Sequence, residues 1–178
     1  MKRDSIMRNK AFLLMLSPCI FFPAISNAAD STMALTATVV ASPCTVKSES
    51  ITKTIALDGG NGFQAKDLQA AGSSTPWVSF DIGIADCPAG TTQAVVTFTG
   101  TPDPDEPADM YINSGTAENV GVQLQGSGGN QFGDGKTFTG VIANGEYTYH
   151  LKSRAYTKNG GVTPGTIQAV VTANFTYQ

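Results

Sequence analysis

The 178-residue sequence has few of the side chains on which enzyme active sites depend. It contains one histidine and one tryptophan, and charged residues make up 14% of the chain. The histidine, His150, falls on the polar face of a predicted strand, and no Ser-His-Asp or Cys-His set around it has support in the sequence. We therefore expect His150 to lie on the surface, and we predict that the protein is not an enzyme.

Long hydrophobic runs are scarce as well. The most extended, residues 11–22, has about twelve residues, whereas a helix that spans a membrane needs about 20. This run follows a basic N-terminal head and precedes Ser26-Asn27-Ala28, where small residues occupy the two positions that a signal peptidase recognises. The pattern predicts a secretory signal peptide over residues 1–28. The mature chain, Ala29 to Gln178, is then expected to be one soluble domain of 150 residues with no membrane span.

Basic residues are outnumbered once the signal peptide is removed. The mature chain keeps seven Lys and Arg against thirteen Asp and Glu, a net charge of −6, which argues against nucleic acid and anionic membrane surfaces as partners. Four of the acids lie in residues 101–110, namely Asp103, Asp105, Glu106 and Asp109. Three prolines interrupt this segment, so its spacing matches no calcium-binding loop. We interpret it as a solvated acidic loop, and we predict no metal site and no cofactor.

Cysteine is also rare. Cys19 leaves with the signal peptide, and Cys44 and Cys87 remain. An even number of cysteines in an exported chain predicts a disulfide bond between them, and the alternative is a pair of unpaired buried thiols. Zinc binding by the two cysteines and the one histidine is the least favoured interpretation, since a zinc site takes four protein ligands, or three and a water. A bridge would close 43 positions of chain and would stabilise the fold by about 4 kcal/mol in the loop-entropy model.

What the sequence does contain is a series of short segments in which apolar and polar residues alternate, the pattern of strands with one buried face. Turns rich in glycine and proline separate them, and no long amphipathic helix is predicted. A short helical turn is predicted within residues 63–71, and Ile51, Ile55 and Leu57 are predicted to point inward. The pattern predicts an all-β antiparallel sandwich of immunoglobulin-like type. Strands are predicted at residues 77–84, 94–100, 120–125, 136–141 and 147–155.

The clearest alternation lies at the C-terminal end. From Gly165 to Gln178, most residues of one face have hydroxyl or amide side chains, and the other face is apolar, with Ile167, Ala169, Val171, Ala173, Phe175 and Tyr177. This pattern predicts a strand that opens at Gly165 and runs to the final residue. Most chain ends are frayed and expendable. Because this chain ends within a strand, its C-terminus is predicted to be functional.

A second alternating segment lies before Cys44 and ends at Pro43, since proline interrupts strands. One of its faces carries Met33, Leu35, Ala37 and Val39. About fifteen mature residues precede Cys44, and they contain no turn that would fold them back as a hairpin. One interpretation is that both terminal segments are ordinary strands of one sandwich. The other is that the first segment is an arm, which adds to the open sheet edge of a partner.

Several motifs, taken together, are similar to those of one known family. They are the signal peptide, the alternating arm that leads to Pro43-Cys44-Thr45-Val46, the second cysteine in Ala85-Asp86-Cys87-Pro88, a glycine fourteen residues from the end and a penultimate tyrosine. By these motifs the mature chain resembles the pilins of chaperone–usher fimbriae over its whole length. Within that family, the arm and the tail look most like those of the minor tip-fibrillum adaptor subunits of type 1 fimbriae.

The resemblance implies an incomplete immunoglobulin-like sandwich that lacks its C-terminal strand, so that an apolar groove lies open beside the last strand present. In the family, a periplasmic pilus chaperone lends a strand to fill this groove. At the outer-membrane usher, the arm of the next subunit replaces the chaperone strand, and this donor-strand complementation links subunits without covalent bonds. The implied organisation is a signal peptide (1–28), an N-terminal donor-strand extension (29–43) and a pilin domain (44–178).

The resemblance also implies roles for particular residues. The donor strand would insert Ser31, Met33, Leu35, Ala37 and Val39 into the preceding subunit, which for a tip adaptor is the adhesin. The acceptor groove, which the chaperone also recognises, would be lined by Gly165, Ile167, Ala169, Val171, Ala173, Phe175 and Tyr177. The carboxylate of Gln178 would meet basic residues of the chaperone. The family usually has glycine near the middle of the arm, where this chain has Ala37.

The expected function is a structural subunit of a type 1-like fimbria on the bacterial surface, which joins neighbouring subunits and supports cell adhesion. Two alternatives share part of the pattern. A major rod pilin has the same fold and the same exchange chemistry, whereas a self-complete secreted carbohydrate-binding module would have the sandwich without an open groove. The single tryptophan and the lack of an aromatic-rich loop cluster argue against the carbohydrate-binding module.

Overall fold

The computed structural model describes residues 43–178. The predicted signal peptide and the predicted donor residues Ser31, Met33, Leu35, Ala37 and Val39 lie outside that range. Within it, neither helical segment has the length and apolar character needed to cross a membrane. The elements are β1 (Thr45–Val46), α1 (Ser48–Ile51), a 3-10 turn (Ala65–Leu68), β2 (Val78–Ala85), β3 (Gln93–Gly100), β4 (Met110–Ile112), β5 (Gly121–Gly126), β6 (Thr137–Val141), β7 (Tyr147–Tyr156) and β8 (Val171–Tyr177).

The strands form two sheets in which every neighbouring pair is antiparallel. The larger sheet has the order β1-β2-β7-β5-β4, and the smaller has the order β6-β3-β8. Alternate side chains of the two sheets enter one apolar core. In β3, for example, Ala94, Val96 and Phe98 are buried while the residues between them are half-buried. The all-β sandwich predicted from the alternation is confirmed.

A two-residue turn leads into β7, the longest strand. Ala143 and Glu146 exchange backbone hydrogen bonds across the two residues between them. These residues, Asn144 and Gly145, have φ values of 54° and 77°. Positive φ at both central positions is the requirement of a type I′ turn, which asparagine followed by glycine meets best. The dipeptide therefore reverses the chain into β7, the central strand of the larger sheet.

A buried tyrosine ties the two sheets together. The hydroxyl of Tyr149 in β7 donates a hydrogen bond to the carbonyl oxygen of Ala94 in β3, at 2.7 Å. Burial raises the pKa of this phenol above its ordinary value, because the charged form would lose its contact with water. The rings of Phe138 in β6 and Phe175 in β8 pack against the Tyr149 ring at centroid distances of 5.3 Å and 5.9 Å. The core therefore reaches all three strands of the smaller sheet.

The segment before β2 departs in part from the sequence prediction. Ile51 ends the short helix α1 and is 70% exposed, so the prediction that it points inward is wrong. A helix of four residues with none of them buried turns this side chain to solvent instead. Leu57 packs against a small second apolar cluster, and the helical turn predicted within residues 63–71 is confirmed by the 3-10 turn. The strand predicted from Trp77 begins one residue later, at Val78.

The acidic segment is a loop up to Met110, as its composition predicts, but it is only partly solvated. Asp103 and Asp109 are 9% and 1% exposed, and Asp109 accepts hydrogen bonds from the side-chain amides of Gln123 and Gln125. The cause is strand β4, which the sequence did not reveal: it pairs with β5 and draws Asp109 onto the outer face of the larger sheet. Nowhere in residues 43–178 do three or more His, Cys, Asp or Glu side chains form a group that could hold a metal ion.

Candidate functional site

Strand β8 lies at the edge of the smaller sheet. Its partner β3 pairs with it from Ala94 opposite Tyr177 to Gly100 opposite Val171. Among residues 43–178, no strand pairs with the other edge of β8. An edge strand presents a row of backbone N–H and C=O groups that can pair with a further strand. The backbone of β8 is therefore available for one more antiparallel or parallel neighbour.

The side chains of this edge strand are apolar on the inner face and only half-buried. Every second residue is half-buried, and the residues between them are exposed. The half-buried row consists of Ile167, Ala169, Val171, Ala173, Phe175 and Tyr177. By contrast, the inward residues of the neighbouring strand β3 are between 0% and 2% exposed. An inward apolar row that is left partly exposed marks a place where the core lacks a covering element.

The opposite sheet edge contributes side chains that the sequence analysis did not single out. Val46 in β1 and Phe80 in β2 are half-buried and pack against the same core as the inner face of β8. Strand β1 covers only the last two residues of β2. The two sheets therefore leave an apolar groove between β8 on one side and the β1–β2 edge on the other; we call it the acceptor groove. Alternation predicts that Phe80 points inward, but only the strand order shows that it borders an opening.

The first part of the predicted C-terminal strand is not a strand. The ladder with β3 begins at Val171, and residues 165–170 have no strand geometry. They are held instead by residues 113–117, because the backbone N–H of Ser114 donates to the carbonyl of Gln168 at 2.8 Å and the side chain of Asn113 accepts from the N–H of Gln168 at 2.7 Å. The prediction that the strand opens at Gly165 is wrong by six residues. The apolar alternation nevertheless continues through them.

A small hollow lies at this end of the acceptor groove. It has a volume of about 170 Å³, and its lining residues are mostly apolar, although backbone polar atoms also face it. Ile167 lines it from the groove side, and Phe63, Ala65, Leu68 and Val162 are among the residues of its other walls. A methyl or isopropyl group fits a space of this size.

The glycine that opens the C-terminal segment is packed too closely for any other residue. A Cβ atom on Gly165 would lie 2.4 Å from the backbone nitrogen of Ala117 and 2.6 Å from the carbonyl carbon of Thr116. Both atoms belong to a neighbouring backbone, which cannot move aside as a flexible side chain could. Glycine at this position therefore allows residues 165–168 to lie against residues 113–117.

We expect Gly165→Ala to destabilise the fold by about 1–3 kcal/mol, since the added methyl group must push two backbone segments apart. The free energy of unfolding from urea titrations of the mature protein measures the effect. Gly128→Ala is the matched control, because a Cβ there would lie 3.4 Å from the side chain of Asn130 and has room. Equal stability of the two variants would contradict the close packing at Gly165.

The other end of the acceptor groove is held by the disulfide and by the chain terminus. Cys44 and Cys87 form the predicted disulfide. The hydroxyl of Tyr177 donates to the carbonyl oxygen of Cys44 at 3.4 Å, and burial raises the pKa of this phenol. The backbone of Gln178 pairs with Gln93, with N–H to carbonyl distances of 2.9 Å and 3.0 Å. The end of β8 therefore lies beside the point where the N-terminal segment enters the described domain.

Of the predicted groove residues, Ala169, Val171, Ala173, Phe175 and Tyr177 pack against the main core, whereas Ile167 packs against the second apolar cluster. The single histidine lies elsewhere. His150 is exposed on the outer face of the larger sheet, where its Nδ1 lies 2.7 Å from a carboxylate oxygen of Asp81. This agrees with its expected surface position. No serine or cysteine side chain is hydrogen-bonded to it among the described residues.

The fold and the open edge define an incomplete immunoglobulin-like sandwich of the pilin type. It resembles the crystal structure of the P pilus rod subunit PapA, with a TM-score of 0.64 and 24% sequence identity over 77% of this chain and 100% of that chain. It also resembles a subunit from the structure of a chaperone–usher pilus, with a TM-score of 0.64 and 23% identity over 85% and 98% of the two chains. At these identities the likeness concerns the fold.

Sequence comparison identifies the family. The model of the fimbrial protein family matches residues 33–178, and the chain belongs to this family of chaperone–usher pilins. It is 36% identical to Protein FimG of Escherichia coli strain K12 over 153 residues, which is 85% of this chain and 87% of FimG. It is 34% identical to the S-fimbrial adhesin protein SfaS of Escherichia coli O6:K15:H31 over 96% of this chain and 99% of SfaS. The protein is thus a non-enzymatic structural subunit of a surface fimbria.

Proposed function

We propose that this subunit is a tip adaptor, which joins an adhesin-side neighbour to a rod-side neighbour by exchanging strands with both. Its N-terminal extension, residues 29–43, is the donor, and its pilin domain, residues 44–178, is the acceptor. The observation that carries the proposal is the half-buried apolar row of β8 on a sheet edge that has no strand beside it in the described domain. The similarity to FimG supports the position at the tip.

The donor strand fills the groove of the preceding subunit with alternate side chains. Ser31, Met33, Leu35, Ala37 and Val39 share one face of the extension. Burial of Met33, Leu35 and Val39 contributes about 1.5–3 kcal/mol each, which is about 4.5–9 kcal/mol before the cost of ordering the arm. Each ladder hydrogen bond adds about 0.5–1.5 kcal/mol net. A strand inserted along its whole length leaves slowly, so the link is durable for kinetic reasons.

The acceptor groove receives two partners in succession. A periplasmic pilus chaperone first covers the apolar row between Gly165 and Tyr177, and its basic residues meet the carboxylate of Gln178. At the outer-membrane usher, the extension of the next subunit replaces the chaperone strand. The hollow beside Ile167 accepts one small side chain of the incoming strand, because Gly165 and Ile167 of the predicted groove row are among its lining residues.

Two other functions are compatible with parts of the molecule. A major rod pilin has the same groove and extension, and the likeness to PapA concerns the fold that both kinds of subunit share. A self-complete carbohydrate-binding module requires a sandwich whose edges are closed by its own strands. The open edge of β8 within residues 43–178 favours a subunit over such a module.

A crosslinker placed on the donor strand tests the proposal. Leu35→Cys in the full-length protein, labelled with a short photoreactive reagent before assembly and illuminated in assembled fimbriae, should attach to a neighbouring subunit, which mass spectrometry identifies. Thr36→Cys is the matched control, since its side chain lies on the opposite face of the strand. Attachment to an adhesin supports a tip adaptor, and attachment to a second copy of this chain indicates a rod pilin. Attachment of Leu35→Cys only within its own chain would contradict strand exchange.

A further inference from the structure

One cluster of charged and aromatic side chains lies outside the acceptor groove. Lys152 and Arg154 are two residues apart in β7, so both point to the outer face of the larger sheet. The ring of Trp77, just before β2, lies 4.8 Å from the Lys152 ammonium and 4.2 Å from the Arg154 guanidinium, measured to the ring centroid. We call these three residues the cationic face.

The arginine of the cationic face is held in one orientation. Its Nε donates to the side-chain carbonyl of Gln123 at 2.7 Å, and one terminal nitrogen donates to the hydroxyl of Ser74 at 2.7 Å. Gln123 is itself fixed, since its amide nitrogen donates to the buried carboxylate of Asp109 at 2.8 Å. The Tyr156 ring adds a further contact, at 5.5 Å from the guanidinium carbon. A guanidinium fixed in advance loses little freedom when it binds an anion.

Lys152 and Arg154 have N–H donors that are not used within the described residues, and neither forms a direct ion pair with an acidic side chain. The ion pairs among residues 43–178 join Lys47 to Glu146, His150 to Asp81 and Lys158 to Glu106. Neither Lys152 nor Arg154 takes part in any of them. A guanidinium has five N–H donors, and the two bonds to protein acceptors use two of them. The carboxylate of Asp109 lies near enough to favour the charged form of Arg154, but it forms no direct ion pair with either cation. In a chain with a net charge of −3, two adjacent cations without a direct acidic partner are a distinct local feature.

The surroundings of the cationic face favour a ligand with one anionic group and several hydroxyl groups. The residues opposite Lys152 in the neighbouring strands are Ser79 and Gln125, and serine hydroxyls and glutamine amides are suited to hydrogen bonds with neutral polar groups. Asp81 lies on the same outer face, two residues beyond Ser79. Its carboxylate would repel a second anionic group, so a run of acidic residues in a peptide fits less well than a single charge.

We propose that the cationic face binds an acidic saccharide, with its carboxylate or sulfate group between Lys152 and Arg154 and its ring beside Trp77. Arginine binds a planar carboxylate or a sulfate with two parallel N–H donors. The apolar C–H surface of a sugar ring packs on an aromatic side chain, as other apolar surfaces do. This face lies on the outer side of the larger sheet, whereas the acceptor groove opens onto the core between the two sheets, so the binding is independent of strand exchange.

The single tryptophan of the chain provides a local probe. The mature protein is labelled with 5-fluorotryptophan and purified from the periplasm together with any partner that keeps it folded. Fluorine NMR records the signal of the Trp77 ring, and the Trp77→Phe variant, which lacks this signal, identifies it. The probes are sodium glucuronate, N-acetylneuraminate, galactose 6-sulfate, neutral lactose and a hexaglutamate peptide. We expect a saturable shift with the anionic sugars at a Kd of about 1 mM, weakened by added salt, and none with lactose. The carboxylated and sulfated sugars show which anion is preferred.

Substitutions separate binding from folding. Arg154→Gln and Lys152→Gln should each weaken the binding of the anionic sugar about tenfold, the factor expected when one charge-assisted contact is lost. Lys152 makes no side-chain hydrogen bond in the described range, so its variant keeps the fold even if loss of Arg154 disturbs the network. Lys158→Gln is the matched control and should bind as the parent does. A shift with lactose equal to that with the acids, no saturable shift, or tighter binding of hexaglutamate than of every sugar would each overturn the proposal.

Discussion

A peptide that copies the N-terminal arm of a neighbouring fimbrial subunit should raise the melting temperature of the mature protein by about 8–16 °C. At a peptide concentration about 1,000 times Kd, the stabilisation is about 4.1 kcal/mol, and each kcal/mol raises the melting temperature of a domain of this size by about 2–4 °C. The physical reason is the half-buried row of β8, which the peptide would cover while pairing with its free edge. Circular dichroism on heating, with and without peptide, measures the shift.

Matched changes on the two faces of β8 make this experiment specific. Phe175→Asp places a charge on the inner face and should abolish the effect of the peptide, since an unpaired carboxylate would be buried under the added strand. Thr176→Asp places the same charge on the exposed face and should leave the shift in place. An arm peptide with aspartate at its central apolar position is the control on the ligand side. A melting temperature that no arm peptide changes would contradict an open groove.

Removal of the disulfide is expected to have the second largest effect. Replacing both Cys44 and Cys87 by alanine should lower the free energy of unfolding by about 4 kcal/mol, because the unfolded chain regains the freedom that a closed loop of this length denies it. The bridge spans 43 positions. For a domain of this size the melting temperature should fall by about 8–16 °C, as measured by urea and thermal unfolding in the presence of the same arm peptide.

The disulfide also affects the end of the acceptor groove. The Tyr177 hydroxyl donates to the backbone carbonyl of Cys44, so loss of the bridge loosens the base of the N-terminal segment beside the end of β8. We therefore expect the double alanine variant to bind the arm peptide more weakly than the parent does, as measured by fluorescence anisotropy of a labelled peptide. Tyr177→Phe separates the two effects, since it removes the hydrogen bond and keeps the bridge. Unchanged stability of the double variant would contradict the assigned role of the disulfide.

Much of the fold follows from local patterns in the sequence. The alternation of apolar and polar residues predicted strands close to the observed β2, β3, β5, β6 and β7, since a period of two is a property of the strand itself. The disulfide was predictable from two cysteines in an exported chain, and the structure confirms it. The apolar face of the C-terminal segment was also correct from Ile167 to Tyr177, although the ladder begins only at Val171.

The wrong predictions share one physical cause. The positions of the residues concerned are set by contacts with segments that are distant in the sequence. Asp109 has an acidic side chain and follows three prolines, yet it is buried because β4 pairs with β5 and two glutamine amides reach it. Residues 165–170 alternate like a strand, but the side chain of Asn113 and nearby backbone groups take their hydrogen bonds instead of β3. Ile51 is apolar, but it ends a helical turn with no buried residue. Local composition does not reveal such partners.

The sequence alone determined that most strands have an apolar face, that the two cysteines after the predicted signal peptide are bridged and that the terminal strand has an apolar side, because side-chain chemistry and spacing specify these features. Only the tertiary structure decided that β8 lies at an edge, that Phe80 borders the opening and that Trp77 rests beside Arg154. Alternation reports which side chains avoid water, whereas the neighbour of each strand depends on backbone pairing between residues far apart in the chain. The acceptor groove and the cationic face both arise from that pairing.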